Sequence, residues 1–490
     1  MSVKQDNLFQ QIISHAKEYG FVFPSSEIYD GLSAVYDYGP YGSELKKNIR
    51  DYWWKSMTQM HENIVGIDAA IFMHPTTWKA SGHVDNFSDP MIDNKDSNKR
   101  YRVDHLIEAK ADELATEGKK EEEFALLKKM DELLAAEDFA GLKNLIDENN
   151  ITCSVSGTSN WTDIRQFNLM FSTEFGAISS DNPDDNKVYL RPETAQGIFV
   201  NFLNVQKTAR MKIPFGIAQT GKAFRNEIVA RQFIFRMREF EQMEMQFFVR
   251  PGTEGEWYQY WKDERLKWHL SLGLPAEKYR YHDHVKLAHY AKEACDIEFE
   301  FPIGFKEVEG IHSRSDFDLT QHQTFSKKKQ QYFDNDINPE TGKPYGNYVP
   351  YVVETSIGLD RMFLLVLSHA YEEELINKED GTTDSRTVLS IPTKLAPIKL
   401  AILPLLKKDG LPEIAKQLLD ECKPYFKCYY EEKDAIGKRY RRQDAIGTPF
   451  CVTIDHQTKE DNMVTVRYRD TMLQERIAIS EVKQMVLNSL

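Results

Sequence analysis

Residues 236–248 constrain the fold of this chain more than any other segment, because two kinds of side chain alternate along it. Read with the two-residue period of a β-strand, the segment has two distinct faces. The first face carries Arg236, Arg238, Phe240, Gln242, Glu244 and Gln246; the second carries Met237, Met243, Met245 and Phe247, with Glu239 and Glu241 as exceptions. The pattern predicts a strand that packs one face on a core and turns the other toward a polar site.

The polar face is suited to one long, flat ligand. Side chains four apart on a strand are separated by about 13 Å, so Arg236, Phe240 and Glu244 span three successive parts of such a ligand. A guanidinium grips a phosphate, an aromatic ring stacks on a base, and a carboxylate accepts from an amine. On the preceding strand Arg225 and Glu227 also share a face. The row suits a nucleotide that carries an amino acid, although a solvated charged face is the commoner reason for an isolated Arg-x-Glu.

Length and charge limit the class of protein. A chain of 490 residues predicts two to four domains and ample core. Its net charge of −14 argues against a general nucleic-acid binder. The charge is uneven, because residues 395–490 carry +2 and the remainder −16. An acidic body with a locally basic tail fits a protein that binds one RNA at chosen patches.

The compartment follows from cysteine usage and from the N-terminus. Five cysteines without a repeating spacing argue against a disulfide framework. The N-terminus lacks the basic and apolar regions of a signal peptide. The longest apolar run, after Arg361, is too short to span a bilayer. We therefore expect a reduced, cytoplasmic protein without membrane contact.

The N-terminal third predicts helices around one strand. Residues 6–19 read as a helix, and Leu45, Ile49, Trp53, Met57 and Met60 recur at near-helical spacing. Residues 64–73 read as a strand that ends at Pro75. From residue 104 to residue 150 there are 14 acidic against 6 basic residues and no proline. This stretch predicts an inserted acidic subdomain of two or three short helices.

The C-terminal part alternates strands and helices after Pro392. Strands are expected at residues 398–403, 425–431, 451–454 and 463–468, with a helix at residues 411–423. The basic run Lys438, Arg439, Arg441 and Arg442 is suited to phosphate contacts. Charge alone does not decide whether these residues also read bases.

Several motifs together resemble one enzyme family. Phe224-Arg-Asn-Glu227, with Arg236-Met-Arg-Glu-Phe240, resembles motif 2 of the class II aminoacyl-tRNA synthetases, and Gly358-Leu-Asp-Arg361 resembles their motif 3. Leu190-Arg-Pro-Glu-Thr-Ala-Gln-Gly197, residues 238–244 and Glu354-Thr-Ser-Ile-Gly358 resemble the glycyl-tRNA synthetases of the single-chain homodimeric type. The resemblance runs from about Gly20 to the C-terminus.

The resemblance implies an α+β fold: a class II synthetase catalytic domain on a mixed, mostly antiparallel sheet with a helical insertion, plus a C-terminal α/β anticodon-binding domain. The expected divisions are residues 1–103 for the first part of the catalytic domain, with motif 1 at the dimer interface, and 104–155 for the insertion. Residues 156–392 then hold motifs 2 and 3, and residues 395–490 form the anticodon-binding domain.

The implied reaction is ATP-dependent attachment of glycine to tRNA(Gly) through glycyl-adenylate, with release of pyrophosphate and AMP. By resemblance, Arg225 holds the α-phosphate, Glu227 meets the adenine amine, and Phe240 and Arg361 sandwich the adenine ring. Arg236 meets the distal phosphates, and Glu307 meets Mg²⁺ bound with ATP. The catalytic residues implied are Arg225, Arg361 and Glu307. The implied partners are tRNA(Gly) and a second copy of the chain in a homodimer.

The full sets of implied contacts are larger. The ATP site comprises Arg225, Asn226, Glu227, Phe235, Arg236, Met237, Arg238, Glu239, Phe240, Glu307, Val308, Gly358, Leu359, Asp360 and Arg361. The glycine site comprises Arg102, Glu193, Phe240, Glu241, Gln242, Met243, Glu244, Glu354, Thr355, Ser356, Ile357 and Gly358. The tRNA site comprises Lys438, Arg439, Arg441 and Arg442.

Three other functions share parts of this pattern. A class II synthetase for another amino acid differs from the implied enzyme at Glu244 and at Glu354-Thr-Ser356. A synthetase-like binding subunit without catalysis, as in the mitochondrial DNA polymerase accessory protein, does not need Arg225, Glu227 and Arg361. A general ATP-dependent ligase leaves the basic C-terminal run unexplained.

At one place the chain departs from the family pattern. Many relatives carry a Cys-x-x-Cys pair near residue 153 and another before the insertion, a set that suits structural zinc. Here Cys153 stands alone, Ser156 takes the partner position, and residues 93–97 read Asp-Asn-Lys-Asp-Ser. One thiolate cannot form a tetrahedral thiolate site, so we expect no zinc.

The zinc expectation is directly measurable. Elemental analysis of purified, chelator-treated protein should show far less than a stoichiometric amount of zinc. Zinc retained at one ion per chain would contradict it.

Overall fold

A computed structural model describes residues 3–175, 186–227, 232–284, 287, 291–377 and 383–490. The helices are α1 (Val3–Glu18), α2 (Pro40–Thr58), α3 (Pro75–Ala80), α4 (His83–Asn86), α5 (Val103–Thr116), α6 (Lys120–Ala135), α7 (Phe139–Glu148), α8 (Ala195–Thr208), α9 (Glu254–Ser271), α10 (Phe317–Ser326), α11 (Leu359–Ala370), α12 (Leu411–Cys422), α13 (Ile436–Ala445), α14 (Thr458–Asp461) and α15 (Ile479–Leu487).

The strands of the first part of the chain are β1 (Val22–Pro24), β2 (Tyr36–Tyr38), β3 (Ile64–Gly66), β4 (Ser88–Asn94), β5 (Lys99–Arg102), β6 (Arg165–Asn168), β7 (Ser172–Glu174), β8 (Lys187–Tyr189), β9 (Phe215–Phe224), β10 (Glu239–Val249), β11 (Tyr279–Asp283) and β12 (Glu293–Phe301). Those that follow are β13 (Gly304–Ser315), β14 (Tyr332–Ile337), β15 (Pro344–Tyr348), β16 (Tyr351–Gly358), β17 (Tyr371–Asn377), β18 (Thr383–Leu389), β19 (Leu400–Pro404), β20 (Cys428–Tyr430), β21 (Phe450–Ile454), β22 (Met463–Tyr468) and β23 (Gln474–Ala478).

A seven-stranded sheet in the order β11-β12-β13-β16-β10-β9-β3 forms the centre of the molecule. Its neighbouring strands pair antiparallel, except for the parallel pair of β3 and β9. The predicted mixed, mostly antiparallel sheet is therefore confirmed. We call the face toward Gln242 and Glu244 the front and the face toward Met243 and Met245 the back.

The organising strand begins three residues later than its alternation suggested. Gln232 and Phe233 have φ values of 69° and 56°, which interrupt the extended backbone and start a short 3₁₀ turn. Arg236 and Met237 therefore precede β10 instead of lying in it. From residue 242 onward the two faces are as predicted, because Met243, Met245 and Phe247 lie in the main core.

Helix α2 packs against the back of the sheet. Leu45, Ile49, Trp53 and Met57 are fully buried, as their helical spacing predicted, whereas Met60 lies beyond the helix and is exposed. The predicted strand at residues 64–73 was too long, since β3 ends at Gly66. The indole of Trp54 occupies the space beside Gly66, and the chain then leaves the sheet.

The acidic segment forms three helices, α5, α6 and α7, as the composition predicted. They pack on a small sheet of β5, β4 and β6. The core between them contains Ile107, Leu142, Ile146 and Trp161. Acidic residues such as Glu121 and Glu122 lie on the outside, so the segment is an appendage with a core of its own.

Helices α8 and α10 cover only part of the front. Phe199 and Phe202 of α8 pack on Phe215 and Phe248 of the sheet. The buried apolar contact ends there, and the polar side chains nearer the start of β10 stay open to a cleft. The extent of this helical cover thus fixes where a ligand can reach the sheet.

The C-terminal domain has a five-stranded sheet in the order β20-β19-β21-β22-β23. β19 pairs parallel with β20 and β21, and β21, β22 and β23 pair antiparallel. Leu411, Leu418, Val482 and Val486 from α12 and α15 fill the larger core. The predicted α/β alternation is confirmed, although β20 is shorter than residues 425–431. Among the described residues, none of the helices is both long and apolar enough to cross a membrane.

The packing of Gly42 in α2 gives a test of this fold. A Cβ at Gly42 would lie 1.8 Å from the carbonyl oxygen of Phe21, whereas a Cβ at Gly255 in α9 meets no atom within 4 Å. Gly42→Ala should lower the free energy of unfolding by about 1–3 kcal/mol or more, because backbone must move. Gly255→Ala should be neutral or slightly stabilising, because alanine has the better helix propensity. Denaturant unfolding measures both, and equal stabilities would contradict the packing of α2 on residue 21.

Candidate active site

A cleft of about 720 Å³ opens on the front of the central sheet, beside the first half of β10. Its walls come from the end of β9, the 3₁₀ turn before β10, β13, β16 and the start of α11. The lining residues are Arg225, Glu227, Ile234, Phe235, Arg236, Met237, Phe240, Glu241, Gln242, Glu307, Ser356, Gly358, Asp360 and Arg361. Sequence segments far apart in the chain thus meet around one space.

Two pairs of a guanidinium group and an aromatic ring face this space. The Arg225 guanidinium lies 5.2 Å from the centroid of the Phe240 ring, and its Nε donates to the carbonyl of Pro192 at 3.1 Å. The Arg361 guanidinium lies 4.4 Å from the Phe235 ring. Each cation is held against an aromatic face, which limits its motion while leaving donors for a ligand.

Glu307 reaches the cleft because of a β-bulge at Val308. Across β12 and β13, Ile297 opposes Glu309 and Glu298 opposes Glu307, so Val308 is the extra residue. Glu307 pairs with Arg361 at 2.9 Å on the front. Without the bulge, residues 307 and 309 would point to the same face.

Behind the bulge, Glu309 is fully buried at the back of the sheet. It accepts from Arg265 Nε at 2.6 Å and lies 2.8 Å from His269 Nε2, both on α9.

On the front, the Arg361 charge lowers the pKa of Glu307, and the pKa of nearby Asp296 is raised by burial and by the Glu307 charge. The bulge thus separates two glutamates into two different ion pairs.

A cluster of buried carboxylates lies next to the cleft. Glu244 and Gln246 of β10 stand opposite Ser356 and Glu354 of β16. Gln246 Nε2 donates to Glu244 Oε1 at 2.8 Å and to Glu354 Oε2 at 2.6 Å, and the Thr194 hydroxyl donates to Glu244. Burial raises the pKa of Glu244 well above its ordinary value, and the charges of Glu354 and Glu193 add to the effect.

The pKa of Glu354 shifts in the opposite direction from that of Glu244, because two basic side chains bind its carboxylate. Its Oε1 lies 2.7 Å from His312 Nδ1, and its Oε2 accepts from Arg314 Nη1 at 2.8 Å. Although burial acts upward, Arg314 and His312 keep the pKa of Glu354 well below the ordinary range. Arg314 also forms a two-point pair with Asp318, with Nε to Oδ2 at 2.9 Å.

Glu193 brings a third carboxylate from the segment before α8. It lies 3.4 Å from His83 Nε2 and accepts from Gln196 Nε2 at 3.1 Å. Burial would raise its pKa, but the charges of His83 and Arg314 hold that pKa at about 2. Three carboxylates from three segments therefore converge where an ammonium ion would satisfy them.

The sequence interpretation missed His312, Arg314 and Thr194. His312 and Arg314 point to the front of β13, in the run Gly310-Ile-His-Ser-Arg314. Two basic residues spaced two apart were a usable signal, because such residues share one face of a strand. No signal in the sequence pointed to Thr194, because its hydrogen bond to Glu244 depends on β10 passing beside the start of α8.

Some of the predicted cleft residues have other surroundings. Glu241 points to the back and pairs with Lys46 at 3.3 Å and Arg50 at 3.0 Å. Its backbone N–H donates to Asp360 at 2.7 Å. Met243, Val308, Ile357 and Leu359 are buried in the core. Thr355 is also buried. These residues shape the site through the backbone or the core.

Residues at the entrance of the cleft pair mostly with each other. Arg238 Nε donates to the carbonyl of Glu227 at 3.0 Å, and Glu239 pairs with Lys222 at 2.7 Å. Arg236 lies 3.9 Å from Glu227, and the backbone of Asn226 donates to the carbonyl of Leu169. Residues 228–231 of the loop between the two halves of this motif lie outside the described residues.

Arg102 lies at the start of α5. It pairs with Asp89 at 3.2 Å and binds Asp104 through two nitrogens. Among the described residues, the ion-pair partners of Arg102 are Asp89 and Asp104, and neither belongs to the cluster of Glu193, Glu244 and Glu354. Its place in an amino-acid pocket stays a prediction.

The basic run of the C-terminal domain divides into interior and surface residues. Arg439 is 1% exposed, and its Nη1 donates to the carbonyls of Pro404 at 2.8 Å and Glu431 at 3.0 Å. Arg442 pairs with Glu431 at 2.7 Å, whereas Lys438 is exposed. Arg439 therefore holds the domain together from inside. RNA contacts by this run stay predictions.

The surroundings of Cys153 do not fit a zinc ion. The buried sulfur lies 3.3 Å from Ser97 Oγ and 3.1 Å from the Tyr101 hydroxyl, and the Ser156 hydroxyl donates to Asn94 Oδ1 at 2.9 Å. Burial would raise the thiol pKa, but hydrogen bonds from Ser156, Ser97 and Tyr101 hold it at about 6. Hydroxyl and amide groups take the places where zinc needs thiolate or imidazole.

Two family models match parts of the chain. Residues 89–169 match the model described as glycyl-tRNA synthetase insertion domain 1, which includes the three acidic helices and the small sheet beneath them. Residues 399–489 match the model described as an anticodon binding domain.

Relatives match nearly the whole chain. A protein from Chlorobaculum tepidum is 53% identical over 482 residues, which is 98% of this chain and 99% of the relative. Proteins from Treponema denticola and Macrococcus caseolyticus are 50% and 52% identical, over 98% and 97% of this chain and 97% of each relative. All three are named glycine–tRNA ligase. With a cleft lined by Arg225, Phe240 and Arg361 beside a cluster of carboxylates, this chain belongs to the family of glycine–tRNA ligases.

Proposed function

We propose that the protein attaches glycine to tRNA(Gly) in two steps driven by ATP. Glycine's carboxylate attacks the α-phosphorus of ATP to give glycyl-adenylate and pyrophosphate, and the terminal ribose hydroxyl of the tRNA then takes the glycyl group and releases AMP. The observation that carries the proposal is that the cleft with Arg225, Phe240 and Arg361 lies next to the cluster of Glu193, Glu244 and Glu354, since Glu244 stands opposite the cleft residue Ser356. The names of the relatives agree with it.

In the first step the residues mainly position charges. Arg225 binds the α-phosphate, where negative charge builds up as the new bond forms, and Arg361 with Phe240 holds the adenine ring between them. Arg236 binds the distal phosphates, and Glu227 accepts from the adenine amine. Positioning and fixed cations supply most of the rate in such transfers.

Glu307 is suited to Mg²⁺ that arrives with ATP. Mg²⁺ in nucleotide sites needs only one or two carboxylates in addition to phosphates. Glu307 faces the cleft, and Asp296 lies close enough for the Glu307 charge to raise its pKa. When bound, Mg²⁺ would neutralise charge on the phosphates.

Glycine is selected by charge and by lack of space. Its ammonium group is held by Glu244, Glu193 and Glu354, and Ser356 lies beside Gln242 at 3.3 Å at the edge of the cluster. A larger amino acid must displace side chains that are already fixed by Gln246, Arg314 and His312. Rejection of alanine is therefore steric, since glycine offers no side chain to recognise.

The second step uses the C-terminal domain to hold tRNA(Gly). Lys438, Arg441 and Arg442 lie on α13, with Lys438 exposed.

The proposal includes a division into three domains. These are a catalytic domain (1–103 and 156–392), an insertion (104–155) and an anticodon-binding domain (395–490). So does a cytoplasmic location, which the cysteine usage favours.

The protein works as a homodimer in this proposal. Support comes from the segment between β1 and β2, where Ile28 is 87% and Tyr29 80% exposed, with Leu32 also exposed. Large apolar side chains grouped at a surface mark contact sites. This segment precedes α2, the helix of motif 1.

The decisive experiment is pyrophosphate–ATP exchange with each standard amino acid in turn. Exchange should depend on glycine and on no other amino acid. Exchange with another amino acid, or with none, would overturn the proposal.

Glu244→Gln tests the glycine pocket, because it keeps the volume and removes the charge. Glycine-dependent exchange should fall by about tenfold to a hundredfold, as a charge-assisted hydrogen bond is lost, with ATP binding and rejection of alanine retained. Glu244→Ala should also relax the rejection of alanine. Glu300→Gln, on the exposed side of β12 in the same sheet, is the control. A Glu244→Gln enzyme at the wild-type rate would remove Glu244 from the pocket.

The raised pKa of Glu244 predicts that glycine binding releases a proton. Below that pKa the carboxyl is neutral and pairs poorly with an ammonium, so the KM for glycine should fall as the pH rises through it. The folding stability of the glycine-free protein depends on pH in the opposite direction. The stability that comes from the neutral Glu244 carboxyl is present below the ordinary carboxyl pKa. It is lost as the pH rises through the raised pKa of Glu244.

Calorimetry in buffers of different ionisation enthalpy measures the released proton, and Glu244→Gln should abolish it. The same variant should be no less stable than wild type at neutral pH. Proton-independent binding by the wild-type protein would contradict the assignment.

A further inference from the structure

A buried ion cluster joins the C-terminal domain to the rest of the molecule at the end of α13. Asp444, fully buried, pairs with Arg467 of its own domain, Nη1 to Oδ1 at 2.7 Å and Nη2 to Oδ2 at 2.9 Å. The same carboxylate lies 3.1 Å from Nε of Arg386, which is on β18 outside that domain. Arg386 is also fully buried, so one carboxylate is shared across the domain boundary.

Backbone carbonyls extend the contact in both directions. Arg386 Nη2 donates to the carbonyl of Arg469 in the C-terminal domain at 2.6 Å. Arg469 Nη1 donates back to the carbonyl of Ile391, beyond the boundary, at 2.9 Å and to that of Gly447 at 2.7 Å. Each domain thus supplies an arginine that donates to a backbone carbonyl of the other.

The backbone after α13 lies directly against the catalytic domain. Gly447 has a φ of 81°, and a Cβ there would lie 2.8 Å from Ile391 Cδ1 and 3.1 Å from the carbonyl oxygen of Leu389. His15 of α1 places Nε2 2.7 Å from the carbonyl of Ala445. Two separate catalytic-domain segments, α1 and β18 with the residues just after it, therefore meet residues 444–447.

These contacts fix the direction of α13. A charge at zero exposure cannot be screened by water, so its partners tolerate little displacement. The cluster holds the C-terminal end of a helix whose other end presents Lys438 to solvent. Rotation of the domain would separate Arg386 from Asp444 and press Gly447 on Ile391.

We propose that the Arg386–Asp444 pair, with Gly447 packed beside it, is a positioning joint. It sets where the anticodon-binding domain holds the tRNA relative to the catalytic cleft, so it governs transfer of glycine to full-length tRNA and leaves adenylate formation alone. This inference rests on the proposed function. Arg386 and Asp444 act through the tRNA's placement and touch no reacting atom.

Arg386→Met is the sharpest test, because Asp444 keeps Arg467 and the side-chain volume is roughly conserved. Glycine-dependent pyrophosphate exchange should stay within about twofold of wild type, since the site is distant. Charging of full-length tRNA should fall by about tenfold or more, because misplacement of a bound substrate is costly. An RNA hairpin with only the acceptor stem should be charged by variant and wild type alike.

Arg476→Met is the matched control. Arg476 binds Asp455 at 2.9 Å and Asp461 at 3.0 Å within the C-terminal domain only, so its loss should affect the hairpin and the full-length tRNA equally. Gly447→Ala is a second route to the same joint and should reproduce the pattern of Arg386→Met. Thermal unfolding shows whether each variant is folded at the assay temperature.

The outcomes separate the two proposals. Wild-type charging of full-length tRNA by a folded Arg386→Met enzyme, or an equal loss on the hairpin and the tRNA, would overturn the joint. Absence of glycine-dependent exchange in the wild-type protein would instead overturn the proposed function.

Discussion

The arrangement of the front of the sheet depends on holding three carboxylates close together, with Glu244 and Glu354 buried and Glu193 half-buried. Glu193, Glu244 and Glu354 cannot all be charged at that depth without counter-charges, since burial disfavours every one of them. Arg314 and His312 neutralise Glu354, and His83 acts on Glu193. Glu244 is left with neutral donors and a raised pKa. In the proposed function, the ammonium group of glycine supplies the positive charge that Glu244 lacks.

The strand order makes this crowding possible. β10 lies between β9 and β16, and β16 lies between β10 and β13, so side chains from four strands meet on one face. The bulge at Val308 then sends Glu307 to this face and Glu309 to the back, where Arg265 and His269 satisfy it. One inserted residue therefore decides whether a carboxylate faces the cleft or the back of the sheet.

Local patterns predicted much of the fold. The spacing of Leu45, Ile49, Trp53 and Met57 gave a buried helix face, and the alternation after residue 242 gave the two faces of β10. The acidic segment gave three helices. Where the patterns failed, the backbone had changed course. Positive φ values at Gln232 and Phe233 interrupt the extended backbone before β10, and the chain leaves the sheet after Gly66. The alternation of side chains does not reveal such a change of direction.

The sequence by itself determined the family motifs, the polar strand face and the separation of an acidic body from a basic tail, because these follow from residue order and short-range period. Only the tertiary structure decided how charges are shared. Arg439 is buried and donates to backbone carbonyls inside its domain, and Arg102 pairs with two aspartates. Asp444 pairs with arginines from two domains. A guanidinium has the same sequence letter whether it faces solvent or a buried carboxylate. Its role is fixed by burial and by partners that the fold brings beside it, and local periodicity carries no information about either.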